Sequence, residues 1–219
     1  MLRTLAPSIL DADFTCIEKE LKMLEEEGAD LIHLDIMDGR FVPNISFGAK
    51  VVESIRKITS LPLDAHLMIE NPENHIESFI KAGSDYITIH YEVSRHLDRD
   101  IQFIKNMGIK SGIALNPTTP LNVIEYIINK IDILLLMTVN PGYGGQEFIP
   151  QMMSKIKKAK DIINNQNKSI TLAVDGGINF SNLSRIIEAG ADMIIAGQII
   201  FKSVNPKEAI KKIKNIMMK

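Results

Sequence analysis

The chain has 219 residues, 45% of them hydrophobic and 24% charged, with a formal net charge of -2. That length suits one α/β barrel or two small domains, and no segment approaches the ~18 to 20 unbroken apolar residues of a membrane span. The weak acidic balance, without a dense Lys/Arg block before the C-terminal helix, excludes an electrostatically driven nucleic-acid binder and leaves an ordinary soluble globular composition. Cys16 is the one cysteine, so no internal disulfide can form. It reads as a small apolar filler on the first helix, and a reducing cytoplasm is the simplest compartment. At the N-terminus, Asp11 and Asp13 interrupt the apolar stretch before a signal-peptide core can form, so no targeting segment is expected there.

In chain order, residues 4–10 (TLAPSIL) predict a first strand. Residues 14–27 then predict a helix, with Phe14, Ile17, Leu21 and Leu24 at helical spacing. Further strands are expected at 31–39 (LIHLDIMDG), 63–69 (LDAHLMI), 83–90 (GSDYITIH), 110–115 (KSGIAL), 130–137 (KIDILLLM), 170–174 (ITLAV) and 190–197 (GADMIIAG), with a closing helix over 206–218. Four of these segments resemble one another, each a helix stop followed by an aspartate (Asp30, Asp85, Asp132, Asp192) and a short apolar run. The gaps between those aspartates suit two βα units apiece. Eight near-continuous apolar strands alternating with amphipathic helices imply a parallel sheet closed into a single (β/α)8 TIM barrel over residues 1–219. A doubly wound open sheet is the runner-up, but it does not call for eight regular repeats.

His33 and Asp35 stand two residues apart in an apolar run, so imidazole and carboxylate share one strand face while Leu34 and Ile36 take the other. A buried carboxylate requires a cation, hydrogen bonds or a metal. Placing catalytic groups at the carboxyl ends of strands brings Ser8, His33, Asp35, His66 and Asp175 to one barrel mouth. Two His and two Asp there offer an N2O2 set for one divalent ion, with Zn, Fe, Mn and Co all compatible. Each residue has a plainer alternative, a hydrogen-bonded core histidine or a helix-capping aspartate. The coincidence of four at one end favours the metal.

Glycine-rich stretches follow at NPGYGGQEF from Asn140 after the sixth strand, DGGI from Asp175 after the seventh, and AGQIIF from Ala196 on the eighth. Glycine lets backbone N–H groups approach an anion closely, and barrels often hold phosphate after strands seven and eight. Tight turns are the default reading of a glycine pair, but their placement here favours a phosphate. Met37, Met68 and Met137 fall at matching inward positions; they fill core or cap a planar intermediate without supplying a proton.

Taken together, APSIL, HLDIMDGRFVPN, DAHLMIENP, NPGYGGQEFIP, VDGGI and IAGQIIF resemble the ribulose-phosphate 3-epimerase family over nearly the whole chain. The resemblance implies a (β/α)8 barrel of the pentose phosphate pathway that interconverts D-ribulose 5-phosphate and D-xylulose 5-phosphate. It further implies that His33, Asp35, His66 and Asp175 bind a divalent metal, and that Asp35 and Asp175 exchange protons with C3. Asp35 would accept the proton in the ribulose-to-xylulose direction. Ser8 and His66 would contact the sugar. The backbones of Gly142, Tyr143, Gly144, Gly145, Gly176, Gly177 and Gly197 would hold the substrate, chiefly its phosphate. Gln198 departs from the family pattern, in which a small Ser or Asn follows that glycine, so its backbone N–H is the expected contact. Family members are often oligomeric, which implies a homo-oligomer here.

Epimerisation removes a proton from one face of C3 and returns one to the other, so two opposed acids are required, one starting ionised and one protonated. A cation on O2 and O3 stabilises the resulting enediolate. An allulose-6-phosphate 3-epimerase is the related alternative, with VDGGI favouring the pentose. A non-catalytic sugar-phosphate-binding barrel is the alternative from another class, and the presence of every ligand and acid argues against it.

Overall fold

In the computed structural model, which describes residues 3–166 and 169–218, eight short strands lie in one all-parallel sheet. They are β1 Thr4–Pro7, β2 Ile32–Met37, β3 Leu63–Met68, β4 Tyr86–His90, β5 Lys110–Leu115, β6 Ile133–Met137, β7 Thr171–Asp175 and β8 Met193–Ala196. Their order is β1-β8-β7-β6-β5-β4-β3-β2. A parallel bridge between Ser8 and His33 brings the two ends together, reinforced by the Asp30 N–H donating to the Leu5 carbonyl at 3.0 Å. The expected (β/α)8 barrel results.

Its outer layer contains α1 Ile17–Glu26, α2 Ala49–Arg56, α3 Ile76–Lys81, α4 Leu97–Asn106, α5 Met152–Asn164, α6 Leu183–Glu188, α7 Gln198–Phe201 and α8 Pro206–Met217. Several expected boundaries move, each for a local reason. The first strand stops at Pro7 rather than continuing to residue 10. The Ser8 hydroxyl accepts the Leu10 N–H and starts a 3-10 turn over Ile9–Asp11. Phe14–Cys16 forms another such turn, with Asp13 accepting the Thr15 N–H, so the first α-helix begins at Ile17. Asp175 is the last residue of β7, not the first after it. Gln198–Phe201, expected on the eighth strand, turns into α7 immediately after Gly197. Between β5 and β6 the expected α-helix gives way to 3-10 turns at Leu121–Ile124 and Ile128–Lys130. Pro117 and Pro120 and the β-branched run Val123, Ile124, Ile127, Ile128 disfavour a longer helix in that short interval.

The four repeated aspartates share one structural task. Each precedes an even-numbered strand and accepts a backbone N–H from the odd-numbered strand before it. Asp30 takes Leu5 N at 2.7 Å, Asp85 takes Leu63 N at 2.8 Å, Asp132 takes Ser111 N at 2.9 Å and Asp192 takes Leu172 N at 3.0 Å. Lys214 stands on Asp30, Arg56 on Asp85 and Lys160 on Asp192. All four stand at the amino-terminal end of the barrel, where they tie its strands in pairs.

Two large apolar regions result, beside a small cluster of Met37, Val42 and Met68. The larger fills the space between sheet and helices, with residues such as Leu5, Leu34, Leu67, Ile113 and Val174 fully enclosed. The smaller lies inside the ring and draws on β5 to β8 and β1, through Ala114, Ile133, Leu135, Met137, Ala173, Ile195 and Ala6. The facing half of the ring is polar: β2, β3 and β4 bury His33, Asp35, Asp64, His66, Thr88 and His90. So dense a buried polar set survives only if its members satisfy one another.

Candidate active site

The register of β2 against β3 sets His33 beside Asp64, Asp35 beside His66 and Met37 beside Met68. Because parity is shared along both strands, these six side chains fall on one face. His33 Nδ1 lies 2.9 Å from Asp64 Oδ2, and Asp64 Oδ1 accepts from the Thr88 hydroxyl at 3.1 Å. A carboxylate at Asp64 can only accept, so Nδ1 of His33 carries a proton and Nε2 is the nitrogen that turns inward. That Nε2 is 3.3 Å from His66 Nδ1 and 3.3 Å from Asp35 Oδ1, while His66 Nδ1 is 3.2 Å from the same Asp35 oxygen. The other Asp35 oxygen accepts from the Ser8 hydroxyl at 2.5 Å.

Asp175 completes the group: one ligand atom from each of His33, Asp35, His66 and Asp175 lies within 4.8 Å of the others. Ligand bonds of about 2.0 to 2.1 Å in a tetrahedral site separate donor atoms by about 3.4 Å, which the His33–Asp35–His66 triangle approaches. Donor chemistry and spacing both fit a divalent ion, so this cluster can hold one.

The two acids are held in different states. Burial opposes charge on Asp35, but His33 and His66 outweigh it and keep the carboxyl below the usual range. Asp175 is pushed up to about 7, first by burial and then by the Asp35 charge. Burial also opposes charge on His33, yet the Asp35 and Asp64 carboxylates raise its pKa well above the ordinary value. His66 falls to about 4, chiefly because it is buried. The Asp35 carboxyl is thus held toward the charged form and that of Asp175 toward the neutral one, and two carboxyls pushed apart in this way can act as base and acid.

The ribulose-phosphate 3 epimerase family model matches residues 4–201. The chain belongs to the ribulose-phosphate 3-epimerase family. It is 48% identical over 210 residues to the ribulose-phosphate 3-epimerase of Bacillus subtilis, covering 95% of this chain and 97% of that protein. It is 45% identical over 211 residues to the chloroplastic ribulose-5-phosphate-3-epimerase of Arabidopsis thaliana, covering 95% and 75%. It is 41% identical over 216 residues to the Escherichia coli K12 ribulose-phosphate 3-epimerase, covering 98% and 96%. Among solved structures, 3-hexulose-6-phosphate synthase from Salmonella typhimurium superposes with a TM-score of 0.74 at 16% identity over 98% of both chains. Orotidine 5'-phosphate decarboxylase from Pyrococcus horikoshii gives 0.71 at 16% identity, over 99% and 100%. At those identities the likeness is one of fold.

In this ribulose-phosphate 3-epimerase family barrel the expected site residues converge. A cavity of about 790 Å³ is lined by Ser8, Asp35, Asp175, the three methionines and all the singled-out glycines, with Tyr143 and Gln198. His33 and His66 are fully enclosed next to Asp35, outside that lining. Met37 and Met68 pack with Val42, Phe41 and Leu10 in an apolar cluster, whereas Met137 belongs to the cluster inside the ring. Gly177 has φ +67°, and a Cβ there would lie 2.3 Å from the Phe148 backbone nitrogen, so the loop after β7 is pressed onto the loop after β6. The Tyr143 side chain is mostly exposed. The Gln198 amide lies against Gly145 and reaches the Asp11 carboxylate at 3.5 Å.

Several groups of this site escape a reading of strand ends alone. Asp64 and Thr88 orient His33; His90 adjoins His66 and Glu92 adjoins His90; Asp11, Arg185 and Lys202 line the cavity. Asp64 stands two residues before His66, the same spacing as His33 before Asp35, and that parity is the signal that could have found it.

Proposed function

We propose that the chain interconverts D-ribulose 5-phosphate and D-xylulose 5-phosphate, with Asp35 and Asp175 exchanging protons with opposite faces of C3. The observation that carries this reading is that Asp35 and Asp175 line one cavity with their carboxyl pKa values pushed in opposite directions. Ionised Asp35 takes the C3 proton, the C–H electrons pass toward the C2 carbonyl, and protonated Asp175 delivers a proton to the other face. Asp35 then holds a proton and Asp175 a charge, the state from which the reverse reaction starts. A single carboxylate would return the proton to the face it left.

His33, Asp35, His66 and Asp175 would hold one divalent ion, Zn, Fe, Mn or Co. When bound it acts as a Lewis acid that stabilises charge developing on O2 and O3. Ser8 orients Asp35 through its 2.5 Å hydrogen bond and reaches the sugar. Met37, Met68 and Met137 cap the planar intermediate and keep water from it.

The phosphate binds on the backbone N–H groups of Gly142 to Gly145, Gly176, Gly177, Gly197 and Gln198, with Arg185 and Lys202 lining the same cavity. Supporting this, the Ile200 and Phe201 N–H groups at the start of α7 donate to the Gly197 carbonyl, which leaves the Gln198 and Ile199 N–H groups unclaimed by the helix.

The chain works as one barrel domain, residues 1–219, in the cytoplasm and as a homo-oligomer. No described helix is long and apolar enough to cross a membrane, a lone cysteine suits a reducing compartment, and Ile45 and Phe14 leave apolar surface exposed. Light scattering after size exclusion tests the oligomer.

The deciding experiment is NMR of ribulose 5-phosphate in D2O with metal-loaded protein. Deuterium should enter C3 of both epimers; substrate that binds and keeps its C3 hydrogen would mark a mere binder. Initial rates on allulose 6-phosphate, expected to be far lower, test the sugar.

A further inference from the structure

A histidine ligates only through a ring nitrogen that carries no proton, so the tautomer of His66 decides whether its Nδ1 can serve a metal. The other nitrogen, Nε2, lies 2.9 Å from Nε2 of His90, and His90 Nδ1 lies 3.0 Å from Glu92 Oε2. Two imidazole nitrogens in contact share one proton. Which ring owns it depends on what lies behind.

Glu92 provides the asymmetry. Its Oε1 accepts from the Asn116 N–H at 2.8 Å and from the Thr119 hydroxyl, so Oε2 is left for His90. Burial opposes the charge on Glu92, but His90, Thr119 and Asn116 outweigh it and bring its pKa down to about 2. A carboxylate accepts and never donates, which puts a proton on His90 Nδ1. With its one proton on Nδ1, His90 presents a lone pair at Nε2, and His66 donates to it. The His66 proton is thereby held on Nε2, and Nδ1, 3.2 Å from Asp35 Oδ1, is the nitrogen left to ligate.

We propose that His90 and Glu92 are positioning residues for the metal centre, acting together to hold His66 in the tautomer that leaves Nδ1 free to ligate. The proposal rests on the metal reading of His33, Asp35, His66 and Asp175. It parallels what Asp64 does for His33, but through an intervening imidazole.

The surroundings leave His66 Nε2 no ready substitute. His90 is fully enclosed, and the Phe41 ring lies over it with centroids 4.7 Å apart. Glu92 is seated on the loop after β5, and Lys155 of α5 pins that loop by donating to the carbonyls of Asn116 at 2.8 Å, Pro117 at 3.1 Å and Thr119 at 2.6 Å. A ligand on β3 is thus oriented from β4 and the β5 loop.

The test compares wild type with His90→Phe, which removes the acceptor, His90→Gln, whose amide oxygen restores one, and Glu92→Gln. Zinc affinity is measured by chelator competition on the full chain. Histidine nitrogen-15 NMR of the zinc-loaded wild type reads the tautomer directly. His90→Phe should bind zinc about 10- to 100-fold more weakly, with His90→Gln recovering most of the loss and Glu92→Gln falling between. The NMR should show His66 protonated at Nε2 with Nδ1 metal-bound.

Equal affinity in His90→Phe, no recovery in His90→Gln, or a His66 protonated at Nδ1 would overturn the proposal while leaving the metal centre standing. A wild type that binds no zinc would overturn both. Should His90→Phe fail to fold, Glu92→Gln and the wild-type tautomer decide.

Discussion

His33 and Asp64 meet across 2.9 Å on neighbouring strands, with neither side chain in contact with solvent to any useful extent. The carboxylate fixes the His33 proton on Nδ1 and frees Nε2. Asp64→Asn can offer an amide N–H to the same nitrogen and so favours the opposite tautomer. We expect metal affinity to fall by about 10- to 100-fold, measured by chelator competition, with the circular dichroism spectrum preserved.

Asp35→Asn and Asp175→Asn should each abolish epimerisation, since an isosteric amide cannot carry the proton. Losing one positioned acid or base costs about 10²- to 10⁴-fold in rate, and losing a metal ligand at the same position deepens it. Steady-state rates with excess metal are the measurement. A near-normal rate in either variant would contradict the two-acid assignment.

Metal affinity should rise with pH. The bound state requires a neutral His33, while the carboxylate partners of His33 favour a proton on it in the metal-free site. The displaced proton steepens the dependence by up to about tenfold per pH unit, so affinity is weakest in acid and climbs with pH. Calorimetry in buffers of different ionisation enthalpy should register proton release on metal binding at pH 6.

Gly177→Ala would force a Cβ onto the Phe148 backbone at a φ of +67°. The loop after β7 must then move away from the loop after β6. The KM for sugar phosphate should rise well beyond any fall in metal affinity, a split that steady-state kinetics and chelator competition together reveal.

Asp192→Ala strands the Leu172 N–H and the Lys160 ammonium at the end of the barrel remote from chemistry. An unpaired buried donor costs about 1 to 3 kcal/mol. Urea unfolding should shift by that amount, with kcat unchanged.

Strand periodicity made the barrel legible, because eight apolar runs separated by helical intervals leave few topologies. The four residues proposed for proton transfer and metal were legible too, as polar side chains at strand ends where apolar ones were due. Less accessible were groups whose role comes from register. Asp64 is a ligand-orienting residue only because β3 lies beside β2 with Asp64 opposite His33. His90 matters only because the next strand brings it to His66. Local chemistry also decided what periodicity could not: Pro7 and the Ser8 cap ended the first strand early, and Gly197 turned the apolar QIIF into a helix.

The aspartate ties also divide the polypeptide into four couplets, each an odd strand, its return segment and the even strand that follows. Every side-chain tie lies within a couplet: Asp30 with Leu5, Asp85 with Leu63, Asp132 with Ser111, Asp192 with Leu172. Chain breaks made after β2, β4 or β6 therefore leave all four ties whole, whereas a break within a couplet places the tie's donor and acceptor on separate fragments. The molecule is thus jointed in quarters, and those joints are where split or permuted versions of it should reassemble best.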